Sequence, residues 1–394
     1  MTHVIADDAE ALAVARDLAG QFAVDAAVRD AERRLPGPEL DRLSASGLLA
    51  ITVPRTHGGA DVSARTIAEV FRLLSAADPN IAQIPQSHFV YVNVLRQQGS
   101  PEQRKFFFDE VLEGRRFGNA QSEAGTKHVQ DYRTSLVAAP DGDGFLLNGT
   151  KHYSTGALFA DWIPVLARRE DETLHVAYVP RDAAGLTVVD DWAGMGQRTT
   201  ASGTVLLEDV AVPEYRVVPH HLTFQGPQLH GAFAQLLHAA IDVGIASGAL
   251  DEAAEFVRTK ARPWFESGQA KAADDPLVIQ RVGELAVKVR AAEALLDAAG
   301  AAVDAARADL TDASAGAASI AVATAKAFAD PVAVELGSAI FELGGTRSSL
   351  EGLNLNRHWR NARTHTLHDP ARWKIQHIGR YVLNGQLPPR HGLL

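Results

Sequence analysis

Hydrophobic and polar positions alternate with three different textures along the chain. Over residues 1–115 apolar residues recur at helical spacing, as in "PELDRLSASGLLAI", where the stripe stops near Gly47. "GSPEQRKFFFDEVLEG" predicts a helix with Ser100 as N-cap, Pro101 at the first helical position and Gln103 completing a capping box, closed by Gly114. Pro85 breaks or begins the helix that carries "SHFVYVNVLRQQG". Over 116–220 the period shortens. "TSLVAAPDGDGFLLNG" reads as a hairpin, "WIPVLARREDETLHVAYVP" repeats that pattern, and "SGTVLLEDVAVPE" alternates as a strand. Over 221–394 the chain is Ala-rich and helical again. "DDPLVIQRVGELAVKVRAAEALLDAAGAAVDAARADL" and "SAGAASIAVATAKAFADPVAVELGSAIFELGG" predict long helices whose small residues suit a bundle and subunit contacts. The expected organisation is an α+β multidomain fold: an N-terminal helical domain (1–115), a middle β domain (116–220) and a C-terminal helical bundle (221–394). No internal repeat or low-complexity linker interrupts it.

Composition narrows the function. The formal charge is −10, and no run of more than two basic residues offers the stripe that nucleic-acid binding needs. The absence of cysteine excludes disulfides, thiolate metal sites and Cys nucleophiles. The first twenty residues carry acidic side chains where a signal peptide needs a basic region, and no window approaches 18 uncharged apolar residues. A cytoplasmic protein without membrane or nucleic-acid partners is expected.

One stretch carries chemistry. "NARTHTLHDP" (361–370) sets His365 and His368 about one helical turn apart, with Asp369 beside the second. Spacing alone leaves three readings open: a proton-handling pair, a metal site or a polar helix cap, of which the cap is commonest. A metal is set aside, because no HExxH motif or second ligand cluster accompanies the pair. His88, between apolar residues in "QSHFVYV", reads by itself as a core histidine, and Ser154 in "KHYSTG" as part of a turn.

The order of motifs resembles the acyl-CoA dehydrogenase superfamily over almost the whole chain. "SGLLAITVPRTHGGA" is similar to the family's "GLLGI.VPEEYGG", and "FGNAQSEAGT" stands where "TEPxAGSD" contacts flavin. "LNGTKHYSTGALFADW" and "MGQRTTASGTVLLEDVAVP" match two further family segments. There are two departures. Asp369-Pro370 replaces the Glu-Gly of the family's catalytic "EGT" motif, and "RPWFESG" replaces the "RxQFG" segment that serves the FAD pyrophosphate of a neighbouring subunit. "YSTGALFADW", "RTHTLHDP" and the tail "RWKIQHIGRYVLNGQLPPRHG" instead resemble the flavin-dependent monooxygenase branch typified by dibenzothiophene monooxygenase, together with the sulfur acquisition oxidoreductases.

That resemblance implies an N-terminal helical domain, a middle β-barrel domain and a C-terminal four-helix bundle, assembled as a homotetramer. It implies reduced FMN from a separate NAD(P)H-dependent flavin reductase, O2 as co-substrate, and transfer of one oxygen through a flavin C4a-hydroperoxide to a small organosulfur or similar apolar substrate. The catalytic residues would be His88, Ser154, His365 and His368, with the Ser154 hydroxyl close to flavin N5. Asn119, Ser122, Tyr153, Ser154 and His368 would contact the flavin, and Arg262, Thr346 and Arg347 its phosphate, for which Arg is suited by its fork of donors. Two alternatives stand beside this: a FAD-dependent acyl-CoA dehydrogenase desaturating thioesters, and a flavin-free scaffold.

Overall fold

The computed structural model describes residues 2–140 and 142–394. Seven helices open the chain: α1 (Asp8–Ala23), α2 (Ala26–Glu32), α3 (Gly37–Ala45), α4 (Ala64–Ala77), α5 (Pro79–Gln83), α6 (Gln86–Gln98) and α7 (Pro101–Leu112). The capping box forms as its sequence dictates: Ser100 accepts from the Gln103 N–H and the Gln103 side chain accepts from the Ser100 N–H. Pro85 separates α5 from α6. Gly47, at φ +81°, ends the stripe after α3, because a left-handed backbone there suits glycine.

The strands are β1 (Ser135–Ala138), β2 (Phe145–Lys151), β3 (Trp162–Arg168), β4 (Leu174–Pro180), β5 (Leu186–Val189), β6 (Thr204–Val212) and β7 (Val217–Val218). The hairpins read from the sequence are β1–β2 and β3–β4; Asp141, in the first turn, lies outside the described residues. The β layer is one seven-stranded mixed sheet in the order β5-β6-β2-β1-β3-β4-β7, in which β1 and β3 pair in parallel and the other neighbours antiparallel.

The C-terminal part contains α8 (His230–Thr259), α9 (Pro276–Ala308), α10 (Asp312–Gly344), α11 (Asn356–His365) and α12 (Ala371–Asn384). One hydrophobic core runs from α1 and α4 into α8, α9 and α10, so the first and last thirds of the chain are packed as one helical body. Alanine and glycine permit the closeness: a Cβ on Gly244 or Gly248 of α8 would lie under 3 Å from Ser75 or Ala76 of α4. Helices α8 and α10 are, against the reading of the sequence, long and apolar enough to cross a bilayer, but most of each such stretch is buried within the bundle.

Candidate active site

Two walls carry the polar groups that the interior leaves available. The first belongs to the sheet. After β2 the chain turns through Tyr153 (φ +56°) into Ser154, whose N–H donates to Gly203 O at 3.0 Å. The neighbouring hydroxyls of Thr155, Ser202 and Thr200 are linked at 2.6 and 2.8 Å. Segment 119–122 runs alongside: Asn119 Nδ2 donates to Tyr153 O at 3.4 Å, and the His152 N–H donates to Ser122 O at 2.8 Å. Asn119, Ser122, Tyr153 and Ser154 therefore meet as the sequence suggested. Lys151 Nζ, fully buried, fastens this wall by bonding Glu123 Oε1 at 2.8 Å and Gln121 O at 3.0 Å. Burial pushes its pKa down to about 8. Glu123 resists its own burial, and the bonds from Lys151 and Thr134 hold it down to about 2.

The second wall is the loop before β6 bolted to α11. Gly196 packs so tightly that an added Cβ would sit 1.9 Å from Arg360 O. The Gln197 N–H donates to Asn361 Oδ1 at 2.7 Å, and Asn361 lies one helical turn before His365. Beyond His365 stands a buried polar cluster. His365 Nδ1 meets Asp242 Oδ1 at 2.6 Å, and its Nε2 meets His238 Nδ1 at 3.1 Å. His238 stacks on His368 with ring centroids 3.9 Å apart. His368 is exposed, with Nδ1 3.1 Å from Asp369 Oδ1. Asp369 is buried and ion-paired to Lys374 at 2.5 Å; Lys374 also donates to Gln235 Oε1. Lys326 Nζ joins Asp242 and Asp330.

Electrostatics follow from that burial. His238 is held well below its ordinary pKa by desolvation and by the cationic neighbours, and His365 is lowered by burial against the pull of Asp242. Asp242 stays low despite burial because His365 and Lys326 face it. Asp330 is pushed up to about 8 by burial and by the charge of Asp242. Neutral histidines thus sit on an ion-paired base.

His88 does not join either wall as a free group. It is fully buried; Nε2 meets Leu49 O at 2.9 Å and Nδ1 accepts from the Phe117 N–H at 3.0 Å. With both nitrogens taken by backbone, it pins α6 to the strand entry and is not among the groups that these walls bring together. Arg262, Thr346 and Arg347 lie near the C-terminal end of α8, not at this site. All three are exposed, and Arg347 donates to Lys260 O, at the end of α8. Lys260 lies 22 residues beyond His238, roughly 33 Å at the helical rise. One FMN cannot reach from His238 to these residues of the same chain, so they do not hold its phosphate there.

Sequence reasoning missed His238, Asp242, Lys326, Asp330, Lys374 and Gln197. The signal existed for four of them: His238/Asp242 and Lys326/Asp330 are i,i+4 polar pairs inside otherwise apolar, Ala-rich stretches.

The acyl-CoA dehydrogenase N-terminal, middle and C-terminal domain families match residues 7–115, 117–210 and 236–373. The chain belongs to the acyl-CoA dehydrogenase family. Within the acyl-CoA dehydrogenase family it falls in the dibenzothiophene monooxygenase branch. Dibenzothiophene monooxygenase of Rhodococcus qingshengii is 35% identical over 97% of this chain and 95% of its own length. The probable FMNH2-dependent monooxygenase SfnC of Pseudomonas putida is 33% identical over 96% of each. The crystal structure of FMN-bound TdsC from Paenibacillus sp. A11-2 superposes with a TM-score of 0.92 at 32% identity, covering 98% of this chain and 100% of that one.

For an acyl-CoA dehydrogenase family member, the state of Asp369 is informative. Tied to Lys374 and His368 and held low by them, it is not a base free to reach a substrate carbon. A flavin fits these two walls better than bare protein does: Ser154 Oγ of the first, both amide atoms of Gln197 and Thr199 Oγ1 of the second, and Gln83 Oε1 of α5 are buried without partners. A planar ring system edged with nitrogens and carbonyls supplies what such atoms lack.

Proposed function

We propose that this chain is the oxygenase of a two-component system. It takes reduced FMN from a separate NAD(P)H-dependent flavin reductase and places one atom of O2 on a small organosulfur or similar apolar compound. It works as a cytoplasmic homotetramer. The observation that carries the reading is the replacement of a free carboxylate base by an exposed histidine, His368, which is held by Asp369 and stacked on a neutral His238.

When bound, reduced FMN supplies the two electrons that allow one oxygen atom to enter substrate while the other leaves as water. Ser154 Oγ and the Gln197 amide, buried without partners, would hold and orient the ring edge by hydrogen bonds. Thr155, Ser202 and Thr200 keep the Ser154 turn in place. With Nδ1–H committed to Asp369, His368 exchanges protons at Nε2, while the buried His365 and His238 rings exclude water beneath it. Arg262, Thr346 and Arg347 serve the site of a second copy, where a phosphate can approach their exposed end of the bundle.

The test combines purified protein, FMN, a flavin reductase, NADH and isotopically labelled O2 with dibenzothiophene or dimethyl sulfone as probe. Label in the organic product supports the oxygenase. Stoichiometric hydrogen peroxide with no labelled product, together with reduction of an electron acceptor by acyl-CoA thioesters, would establish the dehydrogenase instead.

A further inference from the structure

Asp242 joins the histidine and lysine arms of the buried cluster. Its Oδ1 faces His365 Nδ1 at 2.6 Å and its Oδ2 faces Lys326 Nζ at 3.1 Å. Lys326 also donates to Asp330 Oδ1 at 3.0 Å. Asp330 Oδ2 is buried and has no partner as a carboxylate, although it stands within hydrogen-bonding reach of Asp242. A proton on that oxygen gives it a partner. It also balances the buried charges facing His365: Lys326 and Lys374 against Asp242 and Asp369.

These contacts leave one arrangement of protons. Asp242 accepts from His365 Nδ1–H, so His365 carries its lone pair on Nε2 and accepts from His238 Nδ1–H. His238 then carries its own lone pair on Nε2. We propose that Asp242 is a positioning residue that fixes the tautomers of His365 and His238, so that the ring stacked on His368 carries a lone pair, not an N–H, on Nε2. A proton arriving at His368 then meets an acceptor in the ring beneath it, where the other tautomer would present a donor. The inference deepens the oxygenase reading and rests on it for its catalytic consequence.

The decisive variant is Asp242→Asn. Lys326 can only donate, so it claims the amide oxygen and leaves the NH2 facing His365. His365 Nδ1 must then accept, and its proton moves to Nε2. Nitrogen-15 NMR of histidine-labelled protein, with His365 assigned by difference from His365→Gln, reads the tautomer directly. The wild type shows a protonated Nδ1, and Asp242→Asn shows a protonated Nε2. Oxygenated product per NADH falls at least about tenfold in that variant, with peroxide rising in its place. Adding Lys326→Met frees the amide to turn back, and both the tautomer and the coupling recover, which a merely structural role of Asp242 would not produce. Asp330→Asn keeps the wild-type tautomer, since its NH2 donates where the protonated carboxyl did.

A wild type with His365 protonated on Nε2 overturns the proposal, even if Asp242→Asn fails to fold. So does an unchanged tautomer in Asp242→Asn. A wild type that gives no oxygenated product sinks the oxygenase reading, while the NMR still decides the proton arrangement.

Discussion

His88→Ala separates a structural peg from a catalytic group. Removing the imidazole leaves the Phe117 N–H without its acceptor and Leu49 O without its donor, each buried. An orphaned buried group costs about 1–3 kcal/mol. The ring also fills space against Phe89 and Phe117, each with its ring centroid 5.2 Å away, and the resulting cavity adds about 2 kcal/mol. The combined loss is about 4–8 kcal/mol, a large share of the roughly 5–15 kcal/mol that holds a typical domain together. Urea unfolding followed by circular dichroism reads it as a lower midpoint. His88→Gln, whose amide can both donate and accept, recovers part of the loss. Product formed per NADH by the molecules that remain folded is unchanged. A variant with the wild-type midpoint but raised peroxide release would refute this reasoning and return His88 to the reaction.

Three further outcomes follow from the same geometry. Ser154→Ala removes a buried hydroxyl without a partner, so thermal stability holds or rises slightly while FMN binding weakens about tenfold, the worth of one hydrogen bond; a titration with unchanged affinity would take the hydroxyl away from the flavin. Gly196→Ala places a Cβ 1.9 Å from Arg360 O, forcing the loop off α11 by about an ångström, a displacement worth about a hundredfold in turnover; unchanged kinetics would show that the loop does not set the site. Acid weakens the fold in two steps. Burial holds His88 and His230 down to about 4 and His220 to about 3, so the unfolded chain binds protons first. Their support is full above pH 6.5 and is lost as pH falls toward 4 and 3, about 3 kcal/mol for His88 alone. Glu252 and Glu123, held at about 2, add a loss as pH falls from 4.5 toward 2. A melting temperature flat from pH 7 to 4.5 would contradict the first step.

Local grammar was enough for the elements. The capping box at Ser100, the break at Pro85, the β1–β2 and β3–β4 hairpins and the two long small-residue helices all depend on neighbours a few residues apart, and all formed where the pattern put them. The motif order also carried the family, and with it the Ser154 turn and the 119–122 segment beside it. What tertiary structure alone decided was which polar atoms are free. His88 looks the same in sequence whether its nitrogens are idle or bound, and they are bound only because Leu49 and Phe117 arrive from 39 and 29 residues away. Asp242 and Lys326 look like isolated charges in apolar helices. They become a base for His365 because α8, α10 and α11 converge, and burial raises the strength of each pairing there. Arg262 and Arg347 show the reverse case: residue type suited them to a phosphate, but the length of α8 sets them too far from the site in their own chain.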